Sequence, residues 1–420
     1  MSAADYMRLA LRLARRGYGQ TSPNPMVGAV LVKRGEVIGQ GWHRRAGAPH
    51  AEIEALRDAE HHQRSVRGAT LYVTLEPCST QGRTPPCTDA LIAAGLRQVW
   101  VGATDPNPRH CGRGFALLRR AGLEVVPGVL AEDCARLNEA FNHWIVRRTP
   151  FVTVKAAMTL DGKIATAAGE SKWITAEPAR RYAMQLRQGA DAILVGINTV
   201  LADDPSLTVR PVQSSEFGVQ GSKFSAGPRQ PQRIVLDALA RTPLQARLIH
   251  DEQAALTTIV VGETAPKNRL AALAERVNVL IAPVARASSR LGVARASRPW
   301  APQLLGSSAG RGFGARGAPK LDLGWLLEKL GAEAVTSLLV EGGGEVNASF
   351  LLGGLAQRVA FFYAPLILGG NDARPAIAGA GAENLDQSLS LEDVRWRKLG
   401  PDWFLTARVA PLAERAKRRS

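Results

Sequence analysis

The stretch TLEPCSTQGRTPPC, residues 74–87, carries two Pro-Cys pairs with eight residues between the cysteines. Three readings compete for Cys78 and Cys87: a disulfide, two unrelated buried thiols, or two arms of a metal site. Four cysteines in 420 residues are too few for a disulfide scaffold, and a cytoplasmic chain keeps such thiols reduced. The residues PHAE at 49–52 tip the balance toward metal. Zinc prefers imidazole and thiolate ligands in tetrahedral geometry, and a catalytic zinc keeps a fourth position open. His50, Cys78 and Cys87 supply three ligands. His50 opens a predicted helix. Cys87 stands at or just before the start of another, where exposed N–H groups and the helix dipole favour a thiolate. Glu52, on the first turn after His50, is not needed as a ligand and is placed to take a proton from water and hand it to a leaving group. His-x-Glu followed by Pro-Cys-x2-Cys marks zinc nucleobase deaminases; here the second half is Pro-Cys-x8-Cys, a departure in loop length. Cys111 and Cys134 fall on helical patterns and read as core thiols.

The rest of the chain has the balance of an ordinary globular protein, 45% hydrophobic and 21% charged, with a length that suits two or three domains. No apolar run reaches the roughly 18 residues a membrane helix needs, so no membrane partner is expected. The Arg-rich N-terminus MSAADYMRLALRLARRGYG raises the question of a transit peptide. Met7, Ala10, Leu11 and Ala14 instead follow the spacing of a helix packed on a core, and a cytoplasmic protein is expected. The net charge of +16 invites a nucleic-acid reading. Seven basic residues, Arg286 through Lys320, fall in a Ser/Gly/Ala/Pro-rich stretch with no acidic residue, and the tail ERAKRRS adds more. The charge is peripheral, and no nucleic-acid partner is expected.

Residues 1–147 alternate strand and helix signals. MVGAVLVKRGEVIGQGW reads as a hairpin turning at Lys33-Arg34-Gly35, HAEIEALRDAEHH as a helix, ATLYVTLE as a buried strand and PCTDALIAAG as a helix. A single last helix is expected around AEDCARLNEAFNHWIVRR. A three-layer α/β domain fits. A second unit, 150–411, starts after Thr149-Pro150 with the strand FVTVKAAMT and continues through DAILVG, RIVLD, TTIVV and VNVLIA. SLLVEGGG running into EVNASFLLGG reads as strand, Gly-rich turn and helix. RVAFFYAPLIL and DVRWRKLGPDWFLTARV add sheet. About 213–231 and 285–320 read as insertions, and 412–420 as a basic tail.

On TSPNPMVGAVLV, HAE, TLEPCSTQGRTPPCTDALI and DPNP, the first unit closely resembles the N-terminal half of the bifunctional deaminase–reductase family of riboflavin biosynthesis, whose own loop has the x8 spacing. KAAMTLDGKIATAAGESKWIT, GINTVLADDPSLTVR, VEGGGEVNASFL and APLILGG continue the match, so the resemblance covers nearly the whole chain apart from the insertions and tail. It implies an α/β chain with an N-terminal cytidine-deaminase-like three-layer α/β/α domain and a C-terminal dihydrofolate-reductase-like α/β domain. It also implies one Zn2+ per chain and deamination of a phosphorylated pyrimidine, 2,5-diamino-6-(5-phosphoribosylamino)pyrimidin-4(3H)-one, to 5-amino-6-(5-phosphoribosylamino)uracil. NADPH-dependent reduction of the ribosyl group to ribityl would follow. Asn24, His43 and Ala51 match positions that line the family's deaminase pocket, and Ser79, Thr80 and Arg83 stand where ribose-phosphate contacts would fall. On the residues alone, Asn24 between two prolines also suits a turn, and His43 a surface histidine.

In the second unit the resemblance implies NADPH contacts at Ala157, Trp173, Thr199, Asp203 and the turn Gly343, Gly344, Glu345, Val346, Asn347, Ala348 and Ser349. It implies substrate contacts at Ser171, Arg187, Leu207, Arg210 and Glu341. The residues by themselves say less. Glycines let a backbone approach a pyrophosphate, and a helix N-terminus favours its charge. Yet Gly342-x-Gly344 is followed by Asn347 rather than glycine, and no Gly-Lys-Ser/Thr follows, so neither the dinucleotide fingerprint nor a Walker loop is present. Arg187 and Arg210 can clamp a phosphate; without the motifs they read as solvated arginines, Trp173 as core and Asp203 as a turn cap. Lys155, on the first strand of the unit, is a cation whose burial is costly unless used. Asp237-Ala238 departs from the Asp-Ser that the family often has at a cofactor contact, so the hydroxyl of that one contact is missing here while the implied activity stands. The alternatives are a deaminase acting on a nucleic-acid base, a catalytically silent scaffold, and a chain with one active half. The fused second unit counts against the first, and the presence of Glu52 with all three ligands against the second. Family analogy suggests a dimer or tetramer.

Overall fold

The computed structural model describes residues 1–81, 85–210, 229–285, 312–313 and 320–410. Arg83, most of the two stretches read as insertions (213–231 and 285–320) and the basic tail (412–420) lie outside the described residues. The chain separates into two compact units: Met1–Phe151 with Arg210–Arg229, and Val152–Val209 with Gln230–Ser420.

The first unit opens with helix α1 (Ala3–Arg15), started by a capping box in which Ser2 and Asp5 satisfy each other's backbone N–H. Its buried face holds the predicted Met7, Ala10, Leu11 and Ala14. Strands β1 (Gly28–Lys33) and β2 (Glu36–Trp42) form the predicted hairpin. Helix α2 (Ala51–His61), β3 (Thr70–Leu75), α3 (Cys87–Ala93), β4 (Gln98–Ala103), α4 (Arg113–Arg120) and β5 (Glu124–Pro127) follow. The sheet order is β2-β1-β3-β4-β5, antiparallel in its first three strands and parallel from β3 onward. Ala29 and Gly41 are register partners on one face, and Gly28 points to the other. A Cβ at Gly41 would lie 2.3 Å from the Ala51 carbonyl, and one at Gly28 2.0 Å from that of Ala10. Glycine thus lets α2 and α1 seat directly on opposite faces, and the first of these contacts fixes where the start of α2 meets the sheet.

The expected single last helix is two, α5 (Ala131–Leu137) and α6 (Glu139–Arg147), broken at Asn138. The break has a use. The Asn138 side chain turns inward, its Oδ1 accepting from the Met26 N–H at 2.7 Å and its Nδ2 donating to the Met26 carbonyl at 2.8 Å. The expectation for Cys111 fails: it is exposed in the loop before α4, whereas Cys134 is buried on α5 as expected.

The second unit contains β6 (Phe151–Thr159), the short β7 (Lys163–Ala165), α7 (Glu177–Gln188), β8 (Ala192–Gly196), α8 (Ile197–Asp203), β9 (Gln232–Leu236), α9 (Arg247–His250), β10 (Thr257–Gly262), α10 (Lys267–Ala274) and β11 (Asn278–Ala282). After these come β12 (Gly312–Phe313), β13 (Leu321–Asp322), α11 (Leu323–Ala332), β14 (Ser337–Val340), α12 (Gly344–Leu352), β15 (Arg358–Ala364), β16 (Arg374–Pro375), β17 (Leu391–Leu399) and β18 (Asp402–Val409). Among the described residues the main sheet runs β11-β10-β9-β8-β14-β6-β15-β18-β17. Its pairs from β11 to β8, β8 with β14, and β6 with β15 are parallel; β18 and β17 add an antiparallel edge. Strands such as β8, buried along their length, read as unbroken apolar runs because helices cover both faces. Insertion of β14 between β8 and β6 brings Glu341, just past its end, beside residues of β6 and α7. No described helix is long and apolar enough to cross a membrane.

Candidate active sites

In the first unit, His50 caps α2, Cys87 begins α3, and Cys78 follows β3 by three residues. Their ligand atoms lie within 4.8 Å of one another. His50 Nδ1 is 3.2 Å from Cys87 Sγ and 3.5 Å from Cys78 Sγ. Bonds of about 2.1 Å to nitrogen and about 2.3 Å to sulfur separate tetrahedral ligands by roughly 3.6 Å, so the donor set and its spacing fit zinc. The two thiols are not equivalent. The Cys87 thiol, the His50 imidazole and the Cys87 backbone N–H, at 3.3 Å, all act on Cys78 and hold it down at about 4 against the effect of burial. Cys87 is pushed up by its neighbour Cys78 and by burial. The sequence placed the stabilised thiolate on Cys87 at the helix start; the N–H there serves Cys78 instead.

Glu52, on the first turn of α2, is buried beside this cluster. Burial pushes its carboxyl up to about 7, reinforced by the charge of Cys78 and opposed by His50. A carboxyl so placed exchanges protons near neutral pH. His43 is 2% exposed, which overturns its reading as a surface histidine. Its Nδ1 lies 3.1 Å from the Pro49 carbonyl and its Nε2 3.1 Å from Asn24 Nδ2. The carbonyl requires Nδ1 to donate, so Nε2 accepts from Asn24. Asn24 and His43 are thus joined next to His50, whose ring meets that of His43 edge-on at 5.4 Å. Ala51 has no accessible surface; it packs the start of α2 on the sheet. Thr80 Oγ1 is 3.4 Å from His110 Nδ1.

Sequence reasoning passed over Glu76. Buried at the end of β3, it accepts from the N–H groups of Asp105 and Gly112 at 3.2 and 3.0 Å through Oε2, and of Gly114 at 2.9 Å through Oε1. An acid ending an apolar strand is a detectable signal; its backbone partners are not.

In the second unit, Glu341 gathers two cations. Arg187, from α7, donates from Nε and Nη2 at 2.7 and 2.9 Å, and Lys155, from β6, stands 3.6 Å away. Burial would raise the Glu341 carboxyl, but Arg187 and Lys155 outweigh it and bring it to about 2. The fork of Arg187 is therefore filled by Glu341 rather than open to a phosphate, leaving Nη1, which lies 3.5 Å from the Thr208 carbonyl. Ser171 donates to Asp203 at 3.4 Å, and Lys172 pairs with the same carboxylate at 3.7 Å. Trp173 is 71% exposed, with the Arg180 guanidinium 4.8 Å from its ring centroid, so it is not core. Thr199 lies on α8 and Ala157 on β6, while Leu207 is buried; Arg210, which belongs with the first unit, is exposed.

The Gly-rich turn divides by exposure. Gly343 caps α12, and a Cβ there would meet nothing within 4 Å; at Gly344 it would lie 2.4 Å from the Pro375 carbonyl. Gly343, Gly344, Glu345 and Ser349 reach the surface, whereas Val346, Asn347 and Ala348 are buried against the core. Asp237 is buried and closes its own turn, accepting from Thr242 N and Oγ1 at 2.7 Å each, and Ala238 is buried after it.

Residues 1–103 match the family model for the cytidine and deoxycytidylate deaminase zinc-binding region, and residues 150–405 that for the RibD C-terminal domain. The riboflavin biosynthesis protein RibD of Actinobacillus pleuropneumoniae is 40% identical over 405 residues, covering 96% of this chain and 95% of that protein. The protein of the same name from Escherichia coli K12 is 38% identical, covering 94% and 96%. Among solved structures, form 1 of Acinetobacter baumannii RibD is similar with TM-score 0.76 and 33% identity, covering 97% of this chain and 99% of that one. The Thermotoga maritima diaminohydroxyphosphoribosylaminopyrimidine deaminase/5-amino-6-(5-phosphoribosylamino)uracil reductase gives 0.73 and 31% over the same shares.

Proposed function

The chain belongs to the RibD family of bifunctional riboflavin-biosynthesis deaminase–reductases, and from that premise we propose how its own residues divide the two reactions. Residues 1–147 form the deaminase and 150–411 the reductase. The observation that carries the first assignment is the convergence of His50 Nδ1 and the Cys78 and Cys87 sulfurs within 4.8 Å, with the buried carboxyl of Glu52 alongside. Zinc held by these three atoms supplies a Lewis acid that makes water nucleophilic near neutral pH. Water adds to the ring carbon bearing the exocyclic amine, the C–N bond breaks, and ammonia leaves. Glu52 takes a proton from the water and returns it to the departing nitrogen. Asn24, oriented by His43, borders the pyrimidine, and Thr80 faces the ribose phosphate.

In the second unit a bound NADPH would supply the hydride, delivered to C1′, that reduces the ribosyl group to the ribityl chain. Gly343, Gly344, Glu345 and Ser349 at the start of α12, with Thr199, Asp203 and Trp173, border the cofactor. At Gly343, whose Cβ position is open, the backbone would leave room for the cofactor to approach. Glu341 fixes Arg187 and Lys155 at the substrate, and Arg187 Nη1 faces the 5′-phosphate. We read the protein as a cytoplasmic homo-oligomer by family analogy.

A coupled assay on the purified full-length chain, with zinc content measured in parallel, tests the whole reading. Ammonia release should depend on zinc, and NADPH oxidation at 340 nm should require the deaminated phosphate. Full deamination by zinc-free protein would overturn the first assignment, and no NADPH oxidation with that substrate would overturn the second.

A further inference from the structure

Glu76 is a buried carboxylate that neither joins the zinc cluster nor performs the proton transfer assigned to Glu52. Its two oxygens accept three backbone N–H groups, from Asp105, Gly112 and Gly114. Gly112 is the cap residue of α4 and offers that helix no side-chain acceptor. Helix starts leave N–H groups without partners, and an acid nearby also complements the dipole. Glu76 therefore caps α4 from a different element, across 36 and 38 residues of sequence.

Where this fastening sits gives it a role in the site. Glu76 is followed by Pro77 and Cys78. A Cβ at Gly114 would lie 2.3 Å from the Pro77 carbonyl, so α4 begins directly against the chain that delivers the ligand. The loop that Glu76 holds, from Asp105 to Gly112, also carries His110, whose Nδ1 lies 3.4 Å from Thr80 in the loop between the two cysteines. The Cys78 end of the loop between the two cysteines is thus anchored by Glu76, and Thr80, two residues on, is met by a residue that Glu76 keeps in place.

We propose that Glu76 is a positioning residue of the deaminase, fastening the Asp105–Gly112 loop to the strand end that presents Cys78 and so holding Cys78 and Thr80 in their metal- and substrate-binding positions. The inference rests on the deaminase reading. Glu76→Gln keeps the size of the side chain but leaves one acceptor oxygen for three N–H groups. Residues that orient metal ligands typically contribute about 10–100-fold to metal affinity.

The test uses the zinc-loaded full-length chain. Glu76→Gln should release zinc to a chromogenic chelator at least about tenfold faster. It should raise the deamination KM by a similar factor, with kcat within about threefold and the reductase rate of the same preparation unchanged. Gly114→Ala, which crowds the Pro77 carbonyl from the other side, should shift zinc release and KM in the same direction and carries the test if Glu76→Gln fails to fold. Zinc release and KM within about twofold of wild type in a folded variant overturn the proposal. A wild-type chain that binds no zinc and deaminates nothing overturns the deaminase reading as well, so the two failures are distinct.

Discussion

Replacing Glu341 with glutamine tests whether the reductase site is organised around one buried negative charge. The Glu341 side chain is 8% exposed, with Arg187 at 2.7 and 2.9 Å and Lys155 at 3.6 Å. Burial alone would raise its carboxyl; the two cations lower it from 4.5 to about 2. At about 1.36 kcal/mol per pH unit, that fall favours the ionised form by about 3 kcal/mol. Because the folded value is depressed, this stability is complete above the unfolded value of 4.5 and is lost as pH falls toward 2. Glutamine keeps the shape but leaves two part-buried cations, Arg187 and Lys155, without a counter-charge. The expected loss at neutral pH is about 3 kcal/mol, at the lower edge of the range for breaking a buried pair. Urea unfolding of Glu341→Gln and wild type, followed through the reductase unit's transition, should show that difference at pH 7, narrowing to about 2 kcal/mol at pH 3.5. A difference below about 1 kcal/mol at pH 7, or one that fails to narrow on acidification, refutes the reasoning.

His50→Ala should abolish stoichiometric zinc, read by metal analysis after gel filtration; one zinc per chain in the variant would remove His50 from the ligand set. Glu52→Gln should keep the metal and lose deamination by about 10²–10⁴-fold, and ammonia release at the wild-type rate would end its role as proton carrier. In the Gly-rich turn, Gly344→Ala should lower stability by about 1–3 kcal/mol through its clash with the Pro375 carbonyl. Gly343→Ala should fold normally and weaken NADPH binding roughly tenfold, about 1.4 kcal/mol by titration calorimetry; equal NADPH affinity in both variants and wild type would remove the cofactor from this turn. Burial lowers His143 from 6.5 to about 4. The deaminase unit should therefore hold that stability above pH 6.5 and lose about 3 kcal/mol as pH falls to 4, a slope that His143→Gln should flatten in denaturation measurements.

The zinc cluster was legible because metal chemistry demands particular residue types, and three of them stand within forty residues of one another. The face of α1 and the first hairpin were legible for a similar reason: spacing and turn residues are local. What escaped was set by partners far away in sequence. Helical periodicity runs on across 131–147, yet the helix breaks because Asn138 hydrogen-bonds a strand entry 112 residues earlier. Arg187 read as a phosphate clamp because nothing near it announces Glu341, 154 residues on. In the Gly-rich turn the motif marks seven consecutive residues, but α12 is packed around most of its circumference, so Val346, Asn347 and Ala348 are buried. Cys111 carries an apolar side chain on an apparently helical stretch, and the left-handed Gly112 after it caps α4, which starts at Arg113, two residues past Cys111.

The clamp of Asn138 on Met26 has a consequence for biosynthesis of the chain. All three zinc ligands and Glu52 have been added by residue 87, whereas the segment carrying Asn24 is not fastened until residue 138. At the usual ribosomal pace of about 5–20 residues per second, the intervening stretch takes roughly 3–10 seconds. A nascent chain in that interval holds the proposed ligand set, and by residue 114 the partners of Glu76, before the clamp on the Asn24 segment is made. Under the proposed roles, the metal site and the wall beside it are completed at different times in synthesis, and the second waits on a single asparagine.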